Sequence, residues 1–201
     1  MRKIILAATL GLAVFLAGCI PSLNPLYTEK DLVFDPALVG VWSNGANATD
    51  SWKFQKRDEK SYALVIRDDD KTSPFVAHLV KLGKYRFLDL CPNKDGLNDS
   101  KVEGTYAMAL IRGHLFLKVS QIEPTLQMVM LDPDWLDKLL KKNPKSIHHK
   151  RNEDGDGIVL TASTKELQKF MLKYADTKDA FGKPDEPGLQ KVASPPKSGT
   201  N

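Results

Sequence analysis

Apolar and polar positions alternate in short runs between residues 40 and 131. Ser51-Trp52-Lys53-Phe54-Gln55 has a period of two, which predicts a half-buried strand with Trp52 and Phe54 inward. Tyr62-Ala63-Leu64-Val65-Ile66 predicts a second, closed by Asp68-Asp69-Asp70. Phe75 to Leu82 predicts a third, and Gly83-Lys84 turns it into Tyr85 to Leu90. Later, Leu115, Leu117 and Val119 alternate with Phe116 and Lys118, which predicts a strand over 114–120, and Thr125 to Leu131 predicts another. Closely spaced strands joined by short turns point to an antiparallel meander. Before them, Asp35 is placed to cap a short helical turn with Pro36 in its first position, and Gly40 bends the chain into a strand opening at Val41-Trp42.

The period changes after residue 131. Asp132-Pro133-Asp134-Trp135 has the residues of a helix start, Trp135, Leu136, Leu139 and Leu140 form its buried face, and Asn143-Pro144 ends it. Ile158 to Ala162 reads as a strand. Ser163-Thr164-Lys165-Glu166 is a capping-box pattern, followed by Leu167, Phe170, Met171 and Tyr174 at helical spacing, with the helix expected to run to about Ala180. Past Gly182 the chain is proline-bearing and poor in apolar residues, which predicts a disordered tail over 182–201. The expected fold is mainly β (α+β), a single domain over 35–181 with two C-terminal helices packed on its sheet.

The N-terminus follows neither period. Arg2 and Lys3 precede an uncharged apolar stretch from Ile4 to Ala17, which has the length of a signal region and is short for a stable membrane span. Leu16-Ala17-Gly18-Cys19 resembles the lipobox of bacterial lipoproteins. That resemblance implies cleavage between Gly18 and Cys19, lipid (palmitate-type acyl chains) on Cys19, and membrane anchoring through two or three chains. Residues 1–18 are then a signal peptide. Residues 19–34 are the lipidated cysteine and a tether, with Pro21 and Pro25 discouraging regular structure. Ile20 follows the cysteine where no Asp stands, which in enterobacteria-like systems implies the outer membrane of the cell envelope.

Gly40-Val41-Trp42, preceded by a short turn, resembles the G-x-W start of lipocalins. The longer stretch from Ser22 to Trp42 is similar to a group of uncharacterised bacterial lipoproteins with a lipocalin-like reading. The similarity extends through Leu131-Asp132-Pro133-Asp134-Trp135-Leu136 and Thr164-Lys165-Glu166-Leu167-Gln168. It implies a lipocalin-like, partly closed barrel, and no activity comes with it. The T-D-Y-like turn late in lipocalin barrels has no counterpart, Thr105-Tyr106 being the nearest piece. An open sheet covered by the helices is the alternative.

Composition narrows the function. The chain has 201 residues, with 29 Lys and Arg against 25 Asp and Glu; without Arg2 and Lys3 the net charge is +2. The charges are interspersed, which is not a nucleic-acid footprint. The densest basic run, Lys141-Lys142, Lys145 and His148-His149-Lys150-Arg151, reads either as a solvated helix end and loop or as a contact for anionic lipid. Of the two cysteines, lipid takes Cys19, leaving Cys91 as a buried small hydrophobe and excluding a disulfide within the mature monomer.

No catalytic set stands out. There is no G-x-S-x-G elbow, and the adjacent His148 and His149, with His78 and His114, lack zinc-ligand spacing. Asn152-Glu153-Asp154-Gly155-Asp156-Gly157 resembles half of a calcium loop, but the twelfth position is Ser163 where a bidentate Glu is needed, so a hairpin-type turn is expected. No metal or cofactor is expected. Trp42, Trp52, Phe54, Tyr62 and Phe87 would line a pocket or make the core. The expected function is non-enzymatic binding of an apolar ligand or an envelope component, or a structural role in the envelope without a small-molecule pocket. The expected partners are the membrane, through the lipid, and that ligand or an envelope protein.

Overall fold

The computed structural model describes residues 19–45, 49–93, 111–152, 155, 157–182 and 188–192. The signal segment, Thr105-Tyr106 and most of the polar loop after Pro92 lie outside them. The strands are β1 (Leu32–Val33), β2 (Gly40–Ser43), β3 (Ser51–Lys56), β4 (Tyr62–Asp68), β5 (Lys71–Leu82), β6 (Tyr85–Pro92), β7 (Leu115–Gln121), β8 (Thr125–Met130), β9 (His149–Arg151), β10 (Ile158–Leu160) and β11 (Leu189–Val192). The helices are α1 (Pro133–Lys142) and α2 (Thr164–Tyr174).

Strands β2 to β8 each pair antiparallel with the next, β11 pairs with both β8 and β2, and the sheet closes into an eight-stranded antiparallel barrel. This is the lipocalin-like alternative, with the two helices laid outside. The long β5 lets the sheet curl. Its residues 71–77 pair with β4 and residues 75–82 with β6, and β1 takes over the first edge at Leu79 and Val80.

Alternation puts one set of side chains inside. Trp42, Phe54, Tyr62, Leu64, Leu79, Leu88, Leu90, Leu117 and Leu126 are almost completely buried in one cluster, and half-buried Trp52 packs against it. The other face of β5, β6 and β7 carries Val80, Leu82, Phe87 and Phe116 into a second cluster, with Leu136 and Leu140 of α1 and Leu167, Phe170 and Met171 of α2. Phe87, expected beside the other aromatics, therefore sits on the opposite side of the wall, against Phe181.

The G-x-W segment is tied closely to its neighbours at the start of β2. Asp35 Oδ1 accepts from Ala37 N at 3.0 Å and caps the turn Pro36–Leu38. Leu38 O then accepts from Trp42 Nε1 at 2.8 Å. Lys191 of β11 lies over the Trp42 ring and donates to Ala37 O at 2.8 Å. Gly40 has φ +142°, and a Cβ there would stand 2.8 Å from the Lys191 side chain, so glycine suits both the backbone and the close approach.

Three boundaries differ from the sequence reading. Residues 188–192, expected in a disordered tail, supply β11. Closure decides this: β8 and β2 would otherwise present unpaired edges, and β11 satisfies both. Residues 20–28, expected as a tether, are packed on the domain. Ser22 N donates to His114 O (2.9 Å), His114 N to Ser22 O (2.8 Å) and Leu23 N to Leu160 O (2.9 Å), and Leu26 is fully buried. Proline kept this segment out of regular structure, but its backbone found partners on the barrel. Helix α1 starts and stops as expected, with Asp132 Oδ1 accepting from Trp135 N at 2.7 Å. Helix α2 has its capping box but ends at Tyr174, short of Ala180.

Candidate functional site

Two constellations stand out, and both lie outside the barrel. The first is beneath the N-terminal strap. His78 of β5 and Asp89 of β6 are direct cross-strand partners on the outer face. Asp89 is 0 % exposed, and its two oxygens are both engaged: Oδ2 accepts from Leu26 N at 2.7 Å, and Oδ1 is 2.6 Å from His114 Nδ1. A carboxylate buried this deeply needs such partners, because an unpaired one costs several kcal/mol or more. The Tyr27 ring lies over His78 with centroids 4.4 Å apart.

Burial governs the titration of this group. It pushes His78 below the ordinary imidazole range, against the pull of Asp89. It pushes the Tyr27 hydroxyl up to about 12, with Asp89 adding to the shift. It also pushes up the thiol of Cys91, two residues beyond Asp89.

The arrangement has a His–Asp pair and, among the described residues, no activated nucleophile beside it. Ser22 Oγ donates to Asn24 O at 2.8 Å and accepts from Asn24 N at 3.3 Å, which commits it to the strap's own turn. The Cys91 thiol is held protonated, and a thiol is a poor nucleophile beside a thiolate. Among the described residues, no three His, Cys, Asp or Glu side chains converge to hold a metal ion. What the group does is hold the strap. Gln168 of α2 helps, its Nε2 donating to Leu26 O and to Asp31 Oδ2, each at 2.9 Å.

The second constellation is an open cleft of about 200 Å³ between α2 and the loop from α1 to β9. Its floor is Ile147 and Phe170, both buried, and its rim carries Lys145, Lys169 and Lys173. Glu166 and His148 meet at its edge, with Oε1 and Nδ1 3.0 Å apart. The basic run at 141–151 supplies half of this rim, and the lysines of α2 supply the rest.

Of the two roles open to the aromatic strand residues, core or pocket lining, they take the first. Trp42, Trp52, Phe54 and Tyr62 pack in the barrel's interior and Phe87 in the outer core. A small hollow lined by Ile20, Leu115, Met130 and Met171 among others holds only about 10 Å³, the room of about one water. Cys19 is exposed at the domain's surface, near Met130. Gly18 lies outside the described residues. The calcium-like loop closes the β9–β10 hairpin, with Gly157 N donating to Asn152 Oδ1 at 2.9 Å; positions 153, 154 and 156 lie outside the description. None of the described helices is long and apolar enough to cross a membrane.

Comparison of the chain with protein-family models, curated proteins and solved structures found no match.

Proposed function

We propose that this protein is a lipid-anchored component of the bacterial cell envelope, favouring the outer membrane, that works by binding envelope partners at its outer surface. The barrel is then a solid support and does not hold a ligand. The observation that carries this reading is the interior: Trp42, Phe54, Tyr62, Leu64, Leu88, Leu117 and Leu126 occupy the space that a lipocalin-like ligand would need. Among the described residues the His114–Asp89 pair has no activated nucleophile beside it, which supports a non-enzymatic role.

The strap adds geometry to the anchor. Cys19 is three residues before Ser22, whose backbone is bonded to the barrel. At about 3.5 Å per residue that leash reaches roughly 10 Å. A diacylated Cys19 would therefore hold the domain against the bilayer, with little room to swing. The exposed side chains of Leu23 and Ile111 belong to the same neighbourhood, since Ile111 lies just before the His114 bridge.

Metabolic labelling with a palmitate analogue and membrane fractionation test the reading. The wild-type chain is expected to be labelled and membrane-bound, and Cys19→Ser to be unlabelled and released. A Cys19→Ser chain that still labels and stays with membranes would refute the anchor. Native mass spectrometry of the extracted protein tests the interior, where a stoichiometric apolar ligand that survives delipidation would overturn the solid-support reading.

A further inference from the structure

We propose that the cleft between α2 and the α1–β9 loop is a binding site for a phosphate ester carried on a small polar group. Lys169 and Lys173 stand one turn apart on α2 and so share a face, and Lys145 faces them from the loop. No ion pair among the described residues engages any of these three ammonium groups. Like charges at this spacing repel one another, so the cleft is destabilised while it is empty of anion.

The acid at its edge offsets only one of the three charges. Glu166 Oε2 accepts from Ser163 N at 2.9 Å and from Ser163 Oγ at 2.7 Å in the cap of α2, and its Oε1 meets His148. Three lysines against one carboxylate leave the cleft net positive.

Ser146 lines the same cleft, but its Oγ is closed off by the packing around it and lies out of a ligand's reach. The lysine ammonium groups are the donors that face an anion, and they bind a phosphate as point charges.

Size and floor indicate the carrier. The cleft's 200 Å³ is more than ten times the roughly 10–15 Å³ that one water needs on the same measure, and Ile147 and Phe170 pave it. A bare ion would leave that floor uncovered, whereas a polyol or sugar attached to the phosphate would lie on it. The same chemistry is found on a soluble sugar or glycerol phosphate and on a phospholipid headgroup. The proposal does not depend on lipidation of Cys19.

The test uses the full chain in nonionic detergent, followed by amide NMR at Lys145, Ser146 and Lys169. The probes are inorganic phosphate, glycerol 3-phosphate, and mixed micelles containing phosphatidylglycerol or phosphatidylcholine. Saturable shifts are expected with glycerol 3-phosphate, weakened at least tenfold in Lys169→Ala/Lys173→Ala. The exposed barrel pair Lys53→Ala/Lys71→Ala should bind like the wild type. Binding of phosphatidylglycerol micelles without glycerol 3-phosphate binding would assign the ester to a lipid surface, and the reverse would assign it to a soluble ligand. An absence of saturable shifts with all probes would overturn the site, as would equal losses in the barrel control pair. Inorganic phosphate binding as tightly as glycerol 3-phosphate would overturn the carrier contact with the floor.

Discussion

Two apolar cores share the wall formed by β5, β6 and β7, one on each face, and they are built from different chemistry. The inner core is aromatic and aliphatic, and its hydroxyl, from Tyr62, is bonded to the backbone of Asp35. The outer core is just as apolar under the helices but passes into a polar seam where the strap crosses it: His78, Asp89 and His114 on the barrel, with Tyr27 above. An antiparallel wall allows this because alternate residues face opposite sides. Leu88 and Leu90 pack inward while Asp89 between them reaches out to the strap. The inner face is thus left to stability, and the outer face holds the segment that follows the anchor.

The comparison predicts unequal responses. The largest belongs to the inner core: Trp42→Ala should cost about 3–5 kcal/mol, since it leaves a cavity and also frees Leu38 O and the Lys191 stack. Urea unfolding followed by far-UV circular dichroism measures it, and a loss below about 1 kcal/mol would mean that Trp42 is not a main prop of the inner core. Next is the seam. Asp89→Ala leaves the Leu26 amide and the His114 ring without their acceptor and should cost about 3 kcal/mol. This loss should be local: hydrogen exchange at Leu26 should accelerate while amides of Leu79 and Leu117 keep their protection. Uniform acceleration would mean that the strap and barrel are one cooperative unit.

The seam should also respond to pH in a way the inner core does not. His78 is held neutral by burial, with its folded pKa below the ordinary value near 6.5. The unfolded chain therefore takes up this proton first. Its contribution is fully present above pH 6.5 and is lost as pH falls from there through the lowered folded value. Melting temperature should decline between pH 7 and 5, and His78→Leu should flatten that slope; an unchanged slope in the variant would remove His78 as its source. The smallest effect is expected furthest from the seam. Ser163→Ala removes the side-chain cap of α2 and should cost about 1 kcal/mol, read by the same unfolding, without altering exchange at Leu26.

Much of the barrel was legible because its signal is local. Strand β3 alternates polar and apolar over five residues, β4 to β8 are short apolar-rich runs bounded by turn residues, and Asp35, Pro36, Asp132 and Ser163 mark turns or helix starts within three residues of their partners. The seam was less legible. A charged residue in the middle of Leu88-Asp89-Leu90 was the available sign that something polar lay across the strand, but its partner Leu26 is 63 residues away. The lysine cleft was half visible in the run at 141–151, and α2 brings Lys169 and Lys173 to it only after folding.

The sequence alone determined a mainly β domain with two capped helices, a G-x-W turn and the lipobox-like stretch around Cys19, because periodicity, caps and short motifs depend on near neighbours. Tertiary structure decided that the sheet closes, that residues 188–192 close it, that residues 20–28 are a strap, and that the aromatics divide between two cores. Each of these depends on pairing groups far apart in the chain. Segments such as 20–28 and 188–192, which carry no helix or strand pattern of their own, become ordered when a sheet edge or a buried carboxylate supplies the partners that their own neighbours cannot.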